Sequence, residues 1–144
     1  MNNNPSLSLV QDTNYSYHVP NTPITLILVL IRQSPIERPA LFRTIFNSQQ
    51  ALRRQLSKEP NRWLDVDDDP YQVDDKRSGK CMIGMKSVHV GGNDGERLTY
   101  QDVLDVMQGL WDVLYLGRNG YNTVYQIKNG SVVVGHGKII VGNV

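Results

Sequence analysis

The longest uninterrupted apolar stretch is Ile24-Thr-Leu-Ile-Leu-Val-Leu-Ile31, eight residues with a single hydroxyl and no charge. A bilayer span needs about 20 such residues, so this run reads as a strand. We place it at Thr25 to Arg32. Because neither alternating set is polar, the pattern predicts burial on both faces and a central place in a sheet. Ahead of it, Tyr15-Ser-Tyr-His-Val19 alternates large and small residues, which predicts a short edge strand stopped by Pro20. Residues 1–14 are polar and Asn-rich and are expected to be poorly ordered, leaving residues 15–144 as one domain.

The period then changes. Leu41, Phe42, Ile45, Phe46, Leu52 and Leu56 recur at helical spacing, predicting an amphipathic helix over residues 40–58. Pro39 fits its first turn, where a missing N–H costs nothing, and Pro60 ends it. Residues 61–79 read as a long polar connection. Cys81 to Val90 reads as a strand, and the Gly-rich segment at 91–96 as a turn. A second helix has a strong start signal. Thr99 is placed as N-cap and Asp102 as its capping-box partner, with Leu98 and Val103 as the flanking hydrophobic pair. Its apolar stripe runs Val103, Leu104, Val106, Met107, Leu110, Trp111, Leu114, with Gly117 as a left-handed stop. Gly109, inside that helix, points to a close passage of another backbone. The chain ends in a predicted hairpin, Tyr121 to Lys128 and Ser131 to Val141, turning at Asn129-Gly130. That turn would set Ile127 opposite Val132, Tyr125 opposite Val134, and Thr123 opposite His136, all on the buried face. The fold expected is α+β: a mainly antiparallel sheet of four to five strands with two helices on one face, in the order (β)βαβαββ. The periodicity leaves the strand order open.

Composition narrows the functional classes. The chain has 144 residues, 40% hydrophobic and 20% charged, the profile of an ordinary globular protein. A net charge of +1 gives no global field to recruit nucleic acid or an anionic membrane, and both are disfavoured as partners. The charge is segregated, however. Residues 32–62 hold seven cations against two glutamates, a local +5, while residues 63–75 hold only aspartates, a local −6. Cys81 is the single cysteine, so no internal disulfide can form. The start, MNNNPSLSLV, lacks a basic segment and a long apolar core, so it is not read as a signal peptide. Localisation is expected to be cytoplasmic by default, or exported if Met1 follows a removed presequence.

Residues 65–75, DVDDDPYQVDD, pack six aspartates into eleven positions. Asp65, Asp67 and Asp69 match the first three ligand positions of a calcium loop. Pro70 then stands where a glycine must turn, and Lys76 where a bidentate glutamate belongs. No metal site is assigned. Asp67, Asp68 and Asp69 are instead candidates for electrostatic contact with the basic helix or a partner. GKCMIGMKS at 79–87 misses the phosphate-loop spacing by one residue and reads as a strand. In GHGK at 135–138, glycines on both sides of His136 allow a ligand or backbone to come close. The bland reading makes His136 a hydrogen-bonded strand residue and Cys81 a small buried hydrophobe, not a Cys81–His136 or Cys81–His89 pair. Aromatics such as Trp63, Tyr71 and Tyr125 could line a small apolar pocket between helix and sheet.

The segments LTYQDVLDVMQGLW at 98–111, YNTVYQIKNG and VVVGHGKIIVG carry a pattern: Leu98, Thr99 and Tyr100 before a helix, Gly109, Leu110 and Trp111 within it, then Gly135, Gly137 and Ile139. This pattern resembles small fungal proteins of unassigned function. The resemblance implies a fungal source, leaves export open and carries no catalytic residue across.

The functional expectation is a small binding or interaction domain without a catalytic constellation and without a cofactor. Its partner would be a protein, a second copy of itself or a small apolar ligand. Trp63, Tyr71, Arg53, Arg54, Asp67, Asp68 and Asp69 are the candidate binding residues. The alternative is a cofactor-independent isomerase or cyclase acting on an apolar metabolite, with His136 as acid/base and Tyr125 or Asp102 assisting. A third reading is an exported effector that meets a host protein through the acidic loop.

Overall fold

The computed structural model describes residues 11–75, 81–88 and 97–141. It is α+β, with one antiparallel sheet of six strands and two helices. In chain order these are β1 (Thr13–His18), β2 (Ile24–Pro35), α1 (Arg38–Lys58), β3 (Tyr71–Asp74), β4 (Cys81–Ser87), α2 (Tyr100–Leu110), β5 (Tyr121–Asn129) and β6 (Val132–Val141). The sheet order is β1-β2-β5-β6-β4-β3. The chain thus makes three hairpins, and the last one is inserted between the first two.

The observed order, ββαββαββ, has one strand more than the sequence pattern predicts. The additional strand, β3, lies inside the stretch read as polar connection. Its Tyr71 and Val73 are half-buried while Gln72 and Asp74 are exposed, a two-residue period only four residues long. At the other end, Thr13 and Asn14 belong to β1, so the ordered chain starts before Tyr15. The expectation of a poorly ordered start otherwise concerns residues 1–10, which lie outside the described residues, as do His89, Val90 and the turn at 91–96.

β2 corrects a second expectation. Ile24, Leu26, Leu28 and Leu30 are buried, but Thr25, Ile27, Val29 and Ile31 between them are only half-buried. Both helices lie on the side of the first set. β2 is second from the edge, beside the short β1. Its second apolar row is left partly open rather than enclosed.

The helices form as the sequence pattern implies. α1 carries Pro39 in its first turn and buries Ala40, Leu41, Ile45 and Leu52. Phe42 and Phe46, on the same stripe, instead stack on each other 5.2 Å apart, and Phe42 meets Trp111 at 5.5 Å on the outer surface of the helix layer. α2 opens with a complete capping box. The Thr99 hydroxyl accepts from the Asp102 N–H at 3.0 Å, and Asp102 Oδ2 accepts from the Thr99 N–H at 3.0 Å. Leu98 and Val103 are both fully buried. Past Leu110 the helix widens into a π-helical turn, Trp111–Leu116. Gly117 keeps a right-handed φ of −76°. The left-handed residue that follows is Arg118, at φ 58°, so the stop falls one residue later than expected.

Gly109 has the role inferred for it. A Cβ there would lie 2.7 Å from Leu26 Cδ1 and 2.9 Å from Val19 Cγ2, so α2 rests directly on β2 and on the residue that follows β1. Leu26 and Val19 are both fully buried and have no room to retreat. The Gly109→Ala variant is therefore expected to lose about 2–3 kcal/mol to overpacking and to be less stable on balance by roughly 1–2 kcal/mol. The overpacking loss outweighs the gain of roughly 1 kcal/mol in helix propensity. Urea denaturation of the two proteins measures the difference; a more stable variant would contradict the close contact.

Candidate functional site

Directly paired residues in an antiparallel sheet project from the same face. The helix-covered face therefore contains the row Tyr15, Leu28, Tyr125, Gly137, Met85 and Tyr71. The opposite face contains two rows side by side. One runs Ser16, Ile27, Gln126, His136, Lys86, and the other runs Asn14, Val29, Val124, Lys138, Gly84, Gln72. No described helix lies over these two rows, and they form the floor of a trough of about 890 Å³. This volume falls in the usual range for small-molecule sites. Between helix and sheet, where a pocket was expected, there is a smaller cleft at the sheet edge between α1 and β3, lined by Tyr71; the larger space is on the far side.

The trough floor is graded. Ile27 and Val29 on β2 and Val124 on β5 make its apolar part, with Val124 41% exposed. His136 and Lys138 on β6 and Lys86 on β4 make its basic part. Gly84 lies between Lys138 and Gln72 and leaves the floor without a side chain there. Among the described residues no acidic side chain lines the trough. The side chains of Lys86, His136 and Lys138 make no hydrogen bond or ion pair with another described residue.

His136 reaches this face through the hairpin register, which differs from the expected one. The two-residue loop is Gly130-Ser131, with Gly130 at φ 62°, and Asn129 pairs with Val132. A bulge follows: Lys128 pairs with Val133, but Ile127 pairs with Gly135, leaving Val134 extra. Beyond it Tyr125 faces Gly137, and Thr123 faces Ile139 in place of His136. An odd shift exchanges the faces of a strand. Gly135 and Gly137 consequently lie under the helices, and His136 lies in the open.

The three residues of the catalytic expectation do not meet. Tyr125 is buried on the helix side. It crosses β6 where Gly137 has no side chain, and its hydroxyl donates to the Gly84 carbonyl at 3.3 Å. A Cβ on Gly137 would come within 2.7 Å of the Tyr125 ring. Burial pushes the Tyr125 hydroxyl far above its ordinary pKa. Asp102 is occupied in the α2 cap, and His136 is across the sheet from both. Cys81 is likewise on the covered face, buried, opposite Val141, with burial raising its thiol pKa. It is therefore on the other side of the sheet from His136.

The candidate binding residues are dispersed. Arg53 and Arg54 are exposed on α1, and Trp63 is exposed beside the start of α2, bridging to Thr99. Tyr71 lines a second, smaller cleft of about 400 Å³ between α1 and β3, with its hydroxyl 3.4 Å from Ser48 Oγ. Most of the acidic loop is engaged internally. Asp65 pairs with Arg62 at 3.2 Å, Asp68 accepts from the Tyr100 hydroxyl at 2.6 Å, and Asp69 accepts from the Ser87 N–H at 3.0 Å. Asp75, whose side chain is 1% exposed, takes a two-pronged contact from Arg43, the nearer at 2.9 Å. Asp67 remains exposed. The Arg62–Asp65 bond holds the Asp65 carboxyl below its usual range. No group of three His, Cys, Asp or Glu side chains among the described residues is arranged to hold a metal ion. Among them, no helix is long and apolar enough to cross a membrane.

Comparison with protein-family models, with curated proteins and with solved structures finds no match for this chain. The reading of the trough therefore rests on its own chemistry.

Two tyrosine–aspartate bonds tie the outer elements to α2 and give the fold an alkaline limit. Tyr17 of β1 donates to Asp112 at 2.7 Å, and that bond, aided by burial, pushes its hydroxyl from 10.0 up to about 12. Burial, then the bond to Asp68, pushes Tyr100 from 10.0 up to about 12. A raised pKa means that the protonated form is favoured by folding. The stabilisation is complete below pH 10 and is lost as pH rises towards about 12. Thermal melts across that interval are expected to show a falling melting temperature, with a shallower fall in Tyr17→Phe and in Tyr100→Phe. An unchanged alkaline slope in both variants would contradict the linkage.

Proposed function

We propose that this protein is a small binding domain that takes its ligand across the uncovered face of the sheet, without carrying out a reaction. The observation that carries this reading is the trough itself. It combines a partly exposed apolar floor, Ile27, Val29 and Val124, with the side chains of Lys86, His136 and Lys138, which have no partner among the described residues. A monomeric fold gains nothing from leaving β-branched residues half in water on one face. A ligand laid over them would supply the burial that the helices supply on the other face.

The isomerase or cyclase alternative has less behind it. His136 stands in the trough, but a general base needs an orienting partner, and Tyr125 and Asp102 lie elsewhere. The effector reading relies on the acidic loop, and Asp65, Asp68, Asp69 and Asp75 of that loop already have partners within the chain.

The test uses a neutral, environment-sensitive dye, N-phenyl-1-naphthylamine. Its fluorescence is expected to rise on addition of the protein. In Val124→Glu, which sets a charge on the apolar floor, the rise is expected to fall by about tenfold, the loss of roughly 1–2 kcal/mol of apolar contact. Val124 is exposed, so the variant should melt near the parent temperature. No dye response, or an equal response in the folded variant, would overturn the reading.

A further inference from the structure

We infer that the ligand is a free amphipathic anion, a molecule with an alkyl or similarly apolar body and one terminal carboxylate or comparable group. This inference rests on the binding reading above and specifies its ligand class. The grading of the trough floor carries it. Apolar side chains sit on β2 and β5, and basic ones on β6 and β4, with Val124 directly opposite Lys138 and Gln126 directly opposite His136. Neighbouring strands are about 4.8 Å apart, so from β2 to the basic strands the floor spans roughly 10–15 Å. A medium-length chain lying across the strands would cover Val29 and Val124 and bring its head to Lys138, His136 and Lys86.

Charge complementarity fixes the sign of that head. Lys86 lies directly opposite His136, and Lys138 is two residues further along β6 on the same face. The two lysines are then diagonal neighbours, roughly 7–8 Å apart. Like charges so placed on a sheet repel each other, and among the described residues no carboxylate lines the trough to offset them. An anion lying between the lysines converts that repulsion into attraction. Gly84, open to the trough beside Lys138, leaves space for the head.

The experiment compares octanoate, octanol and octylammonium, which share a chain length and differ in head charge. Each is titrated by calorimetry and by displacement of the neutral dye, at low and at moderate salt. Octanoate is expected to bind about tenfold more tightly than octanol, with octylammonium weakest, and added salt is expected to shrink the gap. Lys86→Gln and Lys138→Gln should each reduce octanoate affinity about threefold, and the double variant should bring it to the level of octanol. Binding of the neutral dye should change by less than binding of octanoate in all three, because the dye offers the lysines no charge. Both lysines are exposed, so the variants are expected to keep the parent melting temperature, which is checked first. If the dye binds and octanoate has no advantage over octanol, or if its advantage survives in the double variant, the anion inference fails and the binding reading stands. If neither dye nor octanoate binds, both fail. Dye exclusion that sets in only as the protein dimerises would assign the face to a second copy. Cosedimentation with phosphatidylglycerol vesicles without binding of free octanoate would assign it to a membrane surface. Either result overturns the inference.

Discussion

The handedness of chain crossovers decides which side of this sheet is covered. β2 and β3 run in the same direction, and β4 and β5 run in the opposite one, as the antiparallel pairings require. α1 carries the chain from the second position of the sheet to the far edge; α2 carries it back to the middle. Strand direction and direction of travel are both reversed between the two connections. Two reversals cancel, so the same hand in both crossovers puts both helices on one face, and L-amino-acid chains strongly prefer a single hand. Among the described residues no helix covers the other face, because both crossovers place their helices on the first. Close packing on the covered side follows, with α2 pressed onto β2 at Gly109 and the Tyr125 ring passing over Gly137.

Where the local signal was dense, the elements were legible in the chain. The capping box at Thr99 and Asp102 located the start of α2 to the residue, and the Pro39 and Pro60 pair bracketed α1. β3 was hidden because its alternation lasts four residues and is embedded in aspartates, so local charge outweighed pattern. The continuous run in β2 was misleading for another reason. An all-apolar strand has the same sequence signature whether its second face meets a helix or open space. The candidate site was harder still. Placing the turn at Asn129-Gly130 displaced the hairpin by an even number of residues, which keeps faces intact. The bulge at Val134 added one more, and that single residue moved His136 from the side of Tyr125 to the trough. Neither bulge nor strand order has a signature in a single sequence, and the two rows of the trough draw residues from β1, β2, β5, β6, β4 and β3.

The segregation of charge along the chain is partly resolved within the fold. Arg43 with Asp75 and Arg62 with Asp65 join the basic and acidic blocks, one pair through a carboxylate buried under α1, the other at the surface. Exposed pairs of the second kind contribute little to stability. The buried one anchors the segment leaving β3, since removing Arg43 would take a two-pronged cationic partner from a carboxylate held away from water. The dense run of aspartates thus serves mainly as a set of ties: to Arg62, to the hydroxyl of Tyr100, to the backbone of Ser87 and to Arg43. Lys86 and Lys138, which line the trough, have no such tie to another described residue, and it is there that unsatisfied charge meets unsatisfied apolar surface.

Cys81 is the one thiol in the chain, fully enclosed at the start of β4, with burial raising its pKa. Alkylating and disulfide reagents attack only the thiolate, and only when they can reach it. While the sheet is closed the sulfur is out of their reach twice over, by access and by protonation. The pace at which such a reagent is consumed therefore counts how often β4 comes away from its neighbours. The molecule carries its own clock for the opening of the layer on which the trough is built.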